Sequence, residues 1–450
     1  MFVAILRSAT VWQGWNSLRD DPDAYAQLAV SLANSGTYGF QVEADEVRPT
    51  AFRPPLYPWL LSWLVADGKV SVVGLATGNV LLSLLIAALA ASVANRLGLA
   101  WPIMAGVWVT MDPLLSRASQ LMMTELLATF LGLLAWWLWL VLWPNLPTCS
   151  LDAPNKTSRS MPQWLTLYVL GLVFGLSILA RPTAAVWCLL FAACMLLVGC
   201  QCWKRRVLDS ITVSVCVLIC VVPWTLRNWS QLGVPIWATT HGGYTLLLAN
   251  NPSLYQHFET NGPDRNWNVE RFNAAWAFRG IVDKDLLLQD DYWLREPSDP
   301  TTTESAPADR PAVQVHSLGE LADDQLAYEI ANQTIRDHEG TFLLSCLYRS
   351  GWFWALWPNG VGLVTAIAFG GWYFFIFAYA LVGFGKAIWL RKWTQPWWVR
   401  SWLPGLLLLA SLSLVHSVYW SNMRMRAPLM PCVYMLALLQ FSRRPSSKVA

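Results

Sequence analysis

Charged side chains are scarce in this sequence. Only 13% of its 450 residues are Asp, Glu, Lys or Arg, whereas a soluble domain carries about 25%. Hydrophobic residues make up 55%, and 29 residues are tryptophan, whose amphipathic ring gathers at membrane–water interfaces. The composition therefore excludes an ordinary soluble protein and indicates a polytopic membrane protein. A net charge of only +3 gives no support to a nucleic-acid partner.

Metal-ligand spacing is also missing from the sequence. The nine cysteines are odd in number and stand mostly inside apolar runs, as Cys188 and Cys216 do, so we interpret them as buried thiols. Cys200 and Cys202 are too close in sequence to suggest a zinc site. We therefore assign no metal ligands and leave a requirement for a divalent metal open. No cleavable signal peptide is visible.

Long apolar segments recur along the chain. A helix needs about 20 mostly apolar residues to cross a hydrocarbon layer of about 30 Å. We therefore predict an all-α polytopic membrane protein with about 9–11 transmembrane helices, outer-face juxtamembrane helices and one larger extracytoplasmic insert. The candidate segments are 70–97, 101–115, 125–143, 164–180, 183–200, 207–224, 361–389, 402–420 and 427–441.

Basic residues in short connections and tails orient these segments, because the positive-inside rule makes such connections cytoplasmic. Counting helices between them places the loop 19–69 and the insert 228–346 on the outer side. Only residues 1–15 precede that loop, and Arg7 and Gln13 interrupt them. We favour a start further upstream over an abbreviated first helix. The basic residues are Lys204, Arg205, Arg206, Arg391, Lys392, Arg400, Arg443 and Arg444.

The segments and the insert predict three regions. Residues 1–227 form an N-terminal transmembrane catalytic core that includes the loop 19–69. Residues 228–346 form the extracytoplasmic insert, which we expect to be mostly helical because its later part has helical periodicity. Within it, the stretch 296–311 is rich in Pro, Thr and acidic residues and is predicted to be disordered. Residues 347–450 supply the C-terminal transmembrane helices.

The loop 19–69 concentrates ionisable and aromatic side chains. Asp20, Asp21 and Asp23 stand just before Tyr25, and Arg53 precedes two prolines that favour an extended backbone. A loop carboxylate is usually no more than a solvated charge. Here an acid and a base would be presented together at the outer interface, where a lipid headgroup lies.

Further polar side chains fall at the outer ends of predicted helices. Glu125 opens an apolar helix, where it can either complement the helix dipole or face an outer cavity. Arginines at such ends can simply snorkel to the interface. Four of them nevertheless run against the positive-inside bias, and a buried phosphate would explain them because guanidinium groups grip phosphate oxygens bidentately. The four are Arg181, Arg227, Arg424 and Arg426.

His241 lies near the start of the insert, in the motif THGGYTLLLANNP. The glycines and asparagines of this motif suggest a tight backbone path. A lone histidine is more often solvated or hydrogen-bonded than bound to a ligand. We keep His241 as a candidate substrate-binding residue.

The order of these motifs resembles the glycosyltransferase C superfamily. Along the chain run Asp-x-x-x-Tyr, RPPLYP, TE, ARP, PWTLRN, G-x-x-L-L-x-x-N-N-P and R-x-R-x-P. The sequence looks most similar to the dolichyl-phosphate-mannose–protein mannosyltransferase and aminoarabinose transferase-like group. The resemblance covers nearly the whole chain, and its specificity lies in the order and shared outer placement of short motifs.

The resemblance implies catalytic roles for two acids. Members of this family transfer a sugar from a polyprenyl-phosphate carrier on the extracytoplasmic side of the membrane. Their catalytic aspartate, four residues before a tyrosine, matches Asp21; Tyr25 matches the tyrosine and is a candidate substrate-binding residue. Asp20 or Asp23 would take that place if the register slips. The second outer acid of the family matches Glu125.

The resemblance also implies how the donor is held. The basic residue that contacts the donor phosphate matches Arg53, while Arg424 or Arg426 would help to stabilise the departing phosphate, and Arg181 is a further candidate. Phe52 stands where aminoarabinose transferases have an acid, which argues against an aminoarabinose donor. The chain would thus be a multi-pass enzyme of the cell inner membrane, with its active site on the extracytoplasmic side.

The implied reaction is an inverting transfer in which Asp21 acts as general base on an extracytoplasmic acceptor, which can be a glycan, a lipid or a protein. The partners are the polyprenyl-phosphate-linked sugar, membrane lipid and that acceptor. The alternative from another class is a transporter or flippase of a lipid-linked or small-molecule substrate. Transporters usually show inverted repeats, and we find no such symmetry in the sequence.

Overall fold

The structure is a computed structural model in which helices dominate the described residues. The predicted disordered stretch 296–311 lies outside the described residues, as do Cys200, Cys202, Arg443 and Arg444. The described residues are 1–43, 46–142, 161–197, 203–295 and 317–441.

The first part of the chain alternates short helices with long apolar ones. The short helices α2 and α3 lie in the loop 19–69, which also carries the candidate acids and Arg53. The helices are α1 (Phe2–Gln13), α2 (Tyr25–Ser35), α3 (Leu56–Ser62), α4 (Val72–Arg96), α5 (Pro102–Met111), α6 (Pro113–Ala118), α7 (Glu125–Leu142), α8 (Met161–Ala180), α9 (Ala184–Leu197) and α10 (Trp203–Leu232).

The rest of the chain begins with short helices and ends with long apolar ones. A 3₁₀ helix, Met423–Leu429, stands between the last two α-helices. The α-helices are α11 (Gly242–Ala249), α12 (Pro252–Asn261), α13 (Val269–Ala277), α14 (Lys284–Leu287), α15 (Asp290–Leu294), α16 (Glu320–Asp337), α17 (Glu339–Phe353), α18 (Leu363–Trp389), α19 (Pro396–Val418) and α20 (Met430–Leu439).

Six helices of the described ranges are long and apolar enough to cross a membrane: α4, α7, α8, α10, α18 and α19. The helices α5 and α9 are also apolar but shorter. This confirms the predicted class, an all-α polytopic membrane protein. The extracytoplasmic orientation of the loop and insert stays a prediction.

One predicted segment, 101–115, is divided into two helices, α5 and α6. Pro113 cannot donate a backbone hydrogen bond, so a continuous helix is interrupted there. Asp112 then accepts a hydrogen bond of 2.7 Å from the N–H of Leu115 and caps α6. The break places a buried carboxylate between two apolar helices.

Small residues allow α8 and α10 to pack closely. Gly171 and Gly175 lie on the face of α8 that meets α10, where a Cβ added to either glycine would come 2.6 Å from the Cβ of Cys216 or Cys220. Such a spacing of small residues lets two membrane helices approach each other closely. The carboxyl end of α8 is thereby held in place, and Arg181 follows it directly.

Two short antiparallel hairpins lie in the loop 19–69. The first returns the chain from α2 to the segment before Arg53, and the second turns at Asp67 and Gly68, whose φ angles are +51° and +70°. Left-handed φ angles at both central residues are typical of tight hairpin turns. The strands are β1 (Gly39–Glu43), β2 (Glu46–Pro49), β3 (Val65–Ala66) and β4 (Lys69–Val70).

Contacts between residues divide the chain into two units. The transmembrane unit comprises Met1–Ala238, Gly362–Leu412 and the chain from Arg424 onward. The insert unit comprises Thr239–Val361 together with Ser413–Met423. The insert unit has an apolar interior of its own, built by α11, α13, α15 and α16. Its most buried members include Leu247, Phe272, Trp293, Ala327 and Ile330.

Candidate active site

Asp21 is fixed by the start of α2. One oxygen of its carboxylate, Oδ2, accepts hydrogen bonds from the backbone N–H groups of Ala26 at 2.9 Å and Gln27 at 3.1 Å. These N–H groups lie in the first turn of α2, where they have no partner within the helix. The other oxygen, Oδ1, is buried and makes no hydrogen bond to the described residues. Asp21 therefore presents one immobilised acceptor.

The acid that pairs with Arg53 is Asp23. Nη2 of Arg53 lies 2.8 Å from Oδ1 of Asp23, and its Nε donates a 3.0 Å hydrogen bond to the carbonyl oxygen of the same residue. The guanidinium also lies over two rings, 4.6 Å from the centroid of Phe52 and 5.7 Å from that of Tyr25. The sequence alone does not show which of Asp20, Asp21 and Asp23 pairs with Arg53.

Arg227, one of the four arginines at predicted outer helix ends, holds the backbone of this loop. It donates to the carbonyl oxygen of Thr50 at 2.6 Å and to that of Tyr38. The hydroxyl of Tyr38 in turn donates to the carbonyl oxygen of Arg53 at 2.9 Å. Arg227 thus supports the backbone on which Arg53 stands, through these two backbone carbonyls; it also donates to Oδ1 of Asn228 at 2.9 Å.

Glu125 is buried, with 2% of its surface exposed, and two arginines approach it. Its Oε1 lies 3.4 Å from Nε of Arg424 and 3.8 Å from Nη1 of Arg181. Both distances exceed the usual range for a hydrogen bond of this type, about 2.7–3.2 Å. Its Oε2 is buried without a hydrogen-bond partner in the described chain. The structure therefore brings together three predicted site residues and leaves one of their acceptors unused.

Two buried tyrosines lie within electrostatic range of Glu125 and of the acids in the loop. The rings of Tyr25 and Tyr57 pack edge to face, with centroids 5.2 Å apart. Burial raises the pKa of Tyr25 to about 12; among the nearby charged groups, Arg53 and Arg181 lower this pKa, and Asp23 and Glu125 raise it.

Tyr57 was not singled out by the sequence analysis, although it belongs to the motif RPPLYP. Burial raises its pKa well above the ordinary value, and the nearby Tyr25, Glu125 and Asp21 raise it further. Its hydroxyl therefore stays protonated and lies within electrostatic range of both predicted catalytic acids. A tyrosine two residues after the Arg-Pro-Pro sequence was the available signal.

Arg426 has different surroundings from Arg424. It is fully buried, and its guanidinium lies 4.5 Å from the ring centroid of Tyr373 and 5.1 Å from that of Phe377. Arg181 instead reaches toward the Arg424 side, where its Nη2 lies 3.1 Å from the sulfur of Met425. The contacts of the structure thus separate Arg426 from the group around Glu125.

His241 belongs to the insert unit. It is the residue before α11, and its ring stacks on that of Tyr244 with centroids 5.0 Å apart. Its role in substrate binding stays a prediction.

An apolar cleft extends from Arg181 among the transmembrane helices. Its empty volume is about 390 Å³, including the part open to the surroundings. A second hollow of about 230 Å³ shares Gly132, Leu408 and Pro428 with the first and continues toward Trp136. We call these two adjacent hollows the groove; most of its lining is apolar, and the guanidinium of Arg181 borders the first hollow. The residues lining the first cleft are Ala128, Gly132, Ser177, Arg181, Thr183, Ala184, Trp187, Leu408, Leu412, Met425 and Pro428.

A metal centre finds no support in the described parts of the chain. No group of three or more His, Cys, Asp or Glu side chains in those ranges could hold a metal ion.

Comparisons with known proteins give matches among solved structures. No family model matches the sequence, and no curated protein matches it. Among solved structures, the chain is similar to ArnT from Cupriavidus metallidurans bound to undecaprenyl phosphate, with 14% identity and a TM-score of 0.38 over 97% of this chain and 77% of that one.

Two archaeal structures are similar as well. The oligosaccharyltransferase AglB from Archaeoglobus fulgidus, in complex with an inhibitory peptide and a dolichol-phosphate, gives 14% identity and a TM-score of 0.47, over 97% of this chain and 49% of that chain. The same organism's enzyme tethered to an acceptor peptide gives 12% identity and a TM-score of 0.45, over 97% of this chain and 48% of that one.

These neighbours are glycosyltransferases of the C superfamily. This is the family that the sequence motifs resemble. The chain spans about half the length of the archaeal structures. At these identities and TM-scores the neighbours assign no role to any residue of this chain.

Proposed function

We propose that this protein is a membrane glycosyltransferase that moves a sugar from a polyprenyl-phosphate carrier to an extracytoplasmic acceptor. One observation carries the proposal: Arg181 belongs both to the charged group around Glu125 and to the wall of the apolar cleft. A ligand that satisfies both environments has an anionic head and a long apolar tail. A polyprenyl phosphate has this form.

The phosphate of the donor would lie against Arg181 and Arg424. These two guanidinium groups face the single carboxylate of Glu125, so positive charge is in excess among the three. A sugar phosphodiester carries one negative charge and would offset that excess. The charge on the phosphate grows as the sugar leaves, and preorganised guanidinium groups stabilise such growing charge. Arg53, already oriented by Asp23, adds a third cation from the loop.

The prenyl chain would occupy the groove. Gly132 lies seven residues into α7 from Glu125 and Trp136 lies eleven residues in, which corresponds to about 10 Å and about 16 Å along the helix axis. The groove therefore extends from the charged group toward the middle of the bilayer. Apolar side chains such as Leu408 and Leu412 line this path. Burial of the chain there supplies affinity without a specific polar contact.

Asp21 would act as the general base. Its free oxygen, Oδ1, takes the proton from the acceptor hydroxyl or amine while that group attacks the anomeric carbon. The bond between the anomeric carbon and the phosphate oxygen breaks in the same step, and the polyprenyl phosphate leaves with the electron pair. Attack opposite the leaving group inverts the configuration at that carbon. Glu125 would orient the acceptor through its unused Oε2.

The protein would lie in the cell inner membrane, with this site on the extracytoplasmic side. The basic connections around 204–206 and 391–392 favour that orientation.

The test is an assay of the purified protein with a panel of polyprenyl-phosphate sugars, in which released polyprenyl phosphate is measured. Asp21→Asn should lower kcat by about 10²–10⁴-fold. Asparagine still caps the helix, but it cannot accept the proton. Asp20→Asn changes the exposed neighbouring carboxylate and should keep kcat within about twofold. Full transfer by Asp21→Asn would assign the base elsewhere, and a wild-type protein that releases no lipid phosphate from any donor would refute the proposal.

A further inference from the structure

The 3₁₀ helix Met423–Leu429 carries two arginines with different partners. Arg424 approaches Glu125 in the candidate active site, whereas Arg426 is fully buried against the rings of Tyr373 and Phe377. A 3₁₀ helix has about three residues per turn, so residues two apart point in directions roughly 120° apart. The position of one arginine therefore fixes the orientation of the other.

A buried carboxylate organises the surroundings of Arg426. Asp112 is fully buried. It accepts hydrogen bonds from the hydroxyl of Tyr373 at 3.2 Å and from the hydroxyl of Tyr434. The guanidinium of Arg426 lies over the ring of Tyr373, so this tyrosine links Arg426 to Asp112. Tyr373 belongs to α18 and Tyr434 to α20. The carboxylate of Asp112 therefore links these two helices, which also contact each other.

A second buried arginine adds α1 to this cluster. Nη1 of Arg7 donates to the hydroxyl of Ser116 at 3.0 Å, and its Nη2 donates to the carbonyl oxygen of Val109 at 3.1 Å. Electrostatic attraction joins Arg7 to Asp112. We call the set Arg7, Asp112, Tyr373, Arg426 and Tyr434 the Asp112 cluster. It joins α1, α5, α6, α18 and α20 to the 3₁₀ helix.

Burial of a carboxylate and two guanidinium groups in an apolar helix bundle is costly. Apolar residues of similar size would pack the same helices at lower cost. The cluster offers what apolar packing does not, namely a directional set of hydrogen bonds and charge contacts that defines one rotation of the 3₁₀ helix. Arg424, which approaches Glu125 in the candidate active site, stands two residues before Arg426 in the same short helix.

We propose that Asp112 is a positioning residue, which acts through Tyr373, Tyr434 and Arg426 to hold Arg424 against Glu125. Its catalytic consequence rests on the function proposed above. The donor's affinity would come mainly from the groove and Arg181. Loss of Asp112 should therefore affect the stabilisation of the leaving phosphate more than the binding of the donor.

The first experiment compares two buried aspartates. Asp112→Asn should lower kcat by about 10–100-fold, because a displacement of about 1 Å at a charged group has effects of that size, while the donor KM changes by less than about threefold. Asp209→Asn is the matched control, since Asp209 is also buried in the transmembrane unit and pairs with Arg205. It should leave kcat within about twofold. Equal effects of the two changes would overturn the proposal.

A double-mutant cycle separates positioning from general stability. If Asp112 acts through Arg424, then Asp112→Asn should have little further effect on kcat in a protein that already carries Arg424→Ala. An undiminished 10–100-fold effect in that background would show that the two residues act independently. Tyr434→Phe, which removes a single hydroxyl of the cluster, should show the same dependence on Arg424 with a smaller effect.

A labelling experiment tests the positioning without any transfer activity. The Arg424 side chain is 36% exposed, so a thiol introduced by Arg424→Cys should react with a water-soluble maleimide. Labelling of the native cysteines is measured in the protein that keeps Arg424 and is subtracted. Adding Asp112→Asn should change the labelling rate at least about threefold, whereas adding Asp209→Asn should not. An unchanged rate would overturn the positioning role. Failure of every donor in the transfer assay would instead count against the proposed function and leave this result standing.

Discussion

The two ion-pair groups of the candidate site differ in how completely their charges are matched. Arg53 and Asp23 form a short contact of 2.8 Å, and their side chains are 16% and 26% exposed. Glu125 is 3% exposed at its side chain, and its arginines stay 3.4 Å and 3.8 Å away. The partly exposed pair is already satisfied. The contacts of Glu125 with its two arginines are longer, and its Oε2 makes no hydrogen bond to the described residues, which fits the proposed role of this group in substrate binding.

The largest effect should come from breaking the buried group. Glu125→Gln keeps the size of the side chain but removes the charge that faces Arg181 and Arg424, so kcat/KM should fall by about 10²-fold or more. The measurement is sugar transfer by the purified variant, with thermal unfolding to confirm that it folds. The control is Glu43→Gln, at an exposed position of β1. Activity of Glu125→Gln within threefold of the wild type would show that the buried group has no part in the reaction.

An intermediate effect should come from the groove that joins this group. A Cβ at Gly132 would stand 3.4 Å from Cδ2 of Leu408, so Gly132→Leu has to extend into the hollow. We expect the KM for a long-chain donor to rise about tenfold, which corresponds to about 1.4 kcal/mol, while a donor with one or two isoprene units is nearly unaffected.

The matched control for the groove is Gly78→Leu in α4. An added Cβ at Gly78 meets nothing within 4 Å, so the same change should leave both donors unaffected. If the long and short donors lose affinity equally in Gly132→Leu, the groove does not hold the prenyl chain.

The smallest effect should come from the partly exposed pair. Asp23→Asn releases Nη2 of Arg53 from its carboxylate partner, and exposed pairs contribute only about 0–1 kcal/mol. The released guanidinium can then bind the donor phosphate more strongly, so the donor KM should fall. The fall should be less than about fivefold, with kcat nearly constant. Asp67→Asn, at the hairpin turn, is the control for loss of a loop charge. A loss of kcat as large as that expected for Asp21→Asn would instead identify Asp23 as the base.

Hydropathy predicted the membrane helices because it depends on composition over about 20 residues. The segments around α4, α7 and α18 needed no knowledge of their neighbours. Glu125, Arg181 and Arg424 were also found from the sequence as polar groups at the ends of apolar helices. These three residues lie close together because the predicted directions of the helices put all three at the same face of the membrane.

The partners of individual side chains could not be predicted in the same way. Asp21 and Asp23 are two residues apart, yet Asp21 accepts hydrogen bonds from the start of α2 whereas Asp23 pairs with Arg53. Arg7 was interpreted as an interruption of an apolar segment. The structure shows it buried against Ser116 and Val109, more than one hundred residues away, a distance over which sequence patterns carry no information.

The groove is lined by α7, α8, α9, α19, α20 and the 3₁₀ helix, and three of these helices, α7, α8 and α19, are long and apolar enough to cross a membrane. A donor that enters it would arrive by lateral diffusion within one leaflet. Its effective concentration would then be its mole fraction in the lipid. Adding inert phospholipid or detergent at constant donor molarity lowers that mole fraction and should therefore slow sugar transfer.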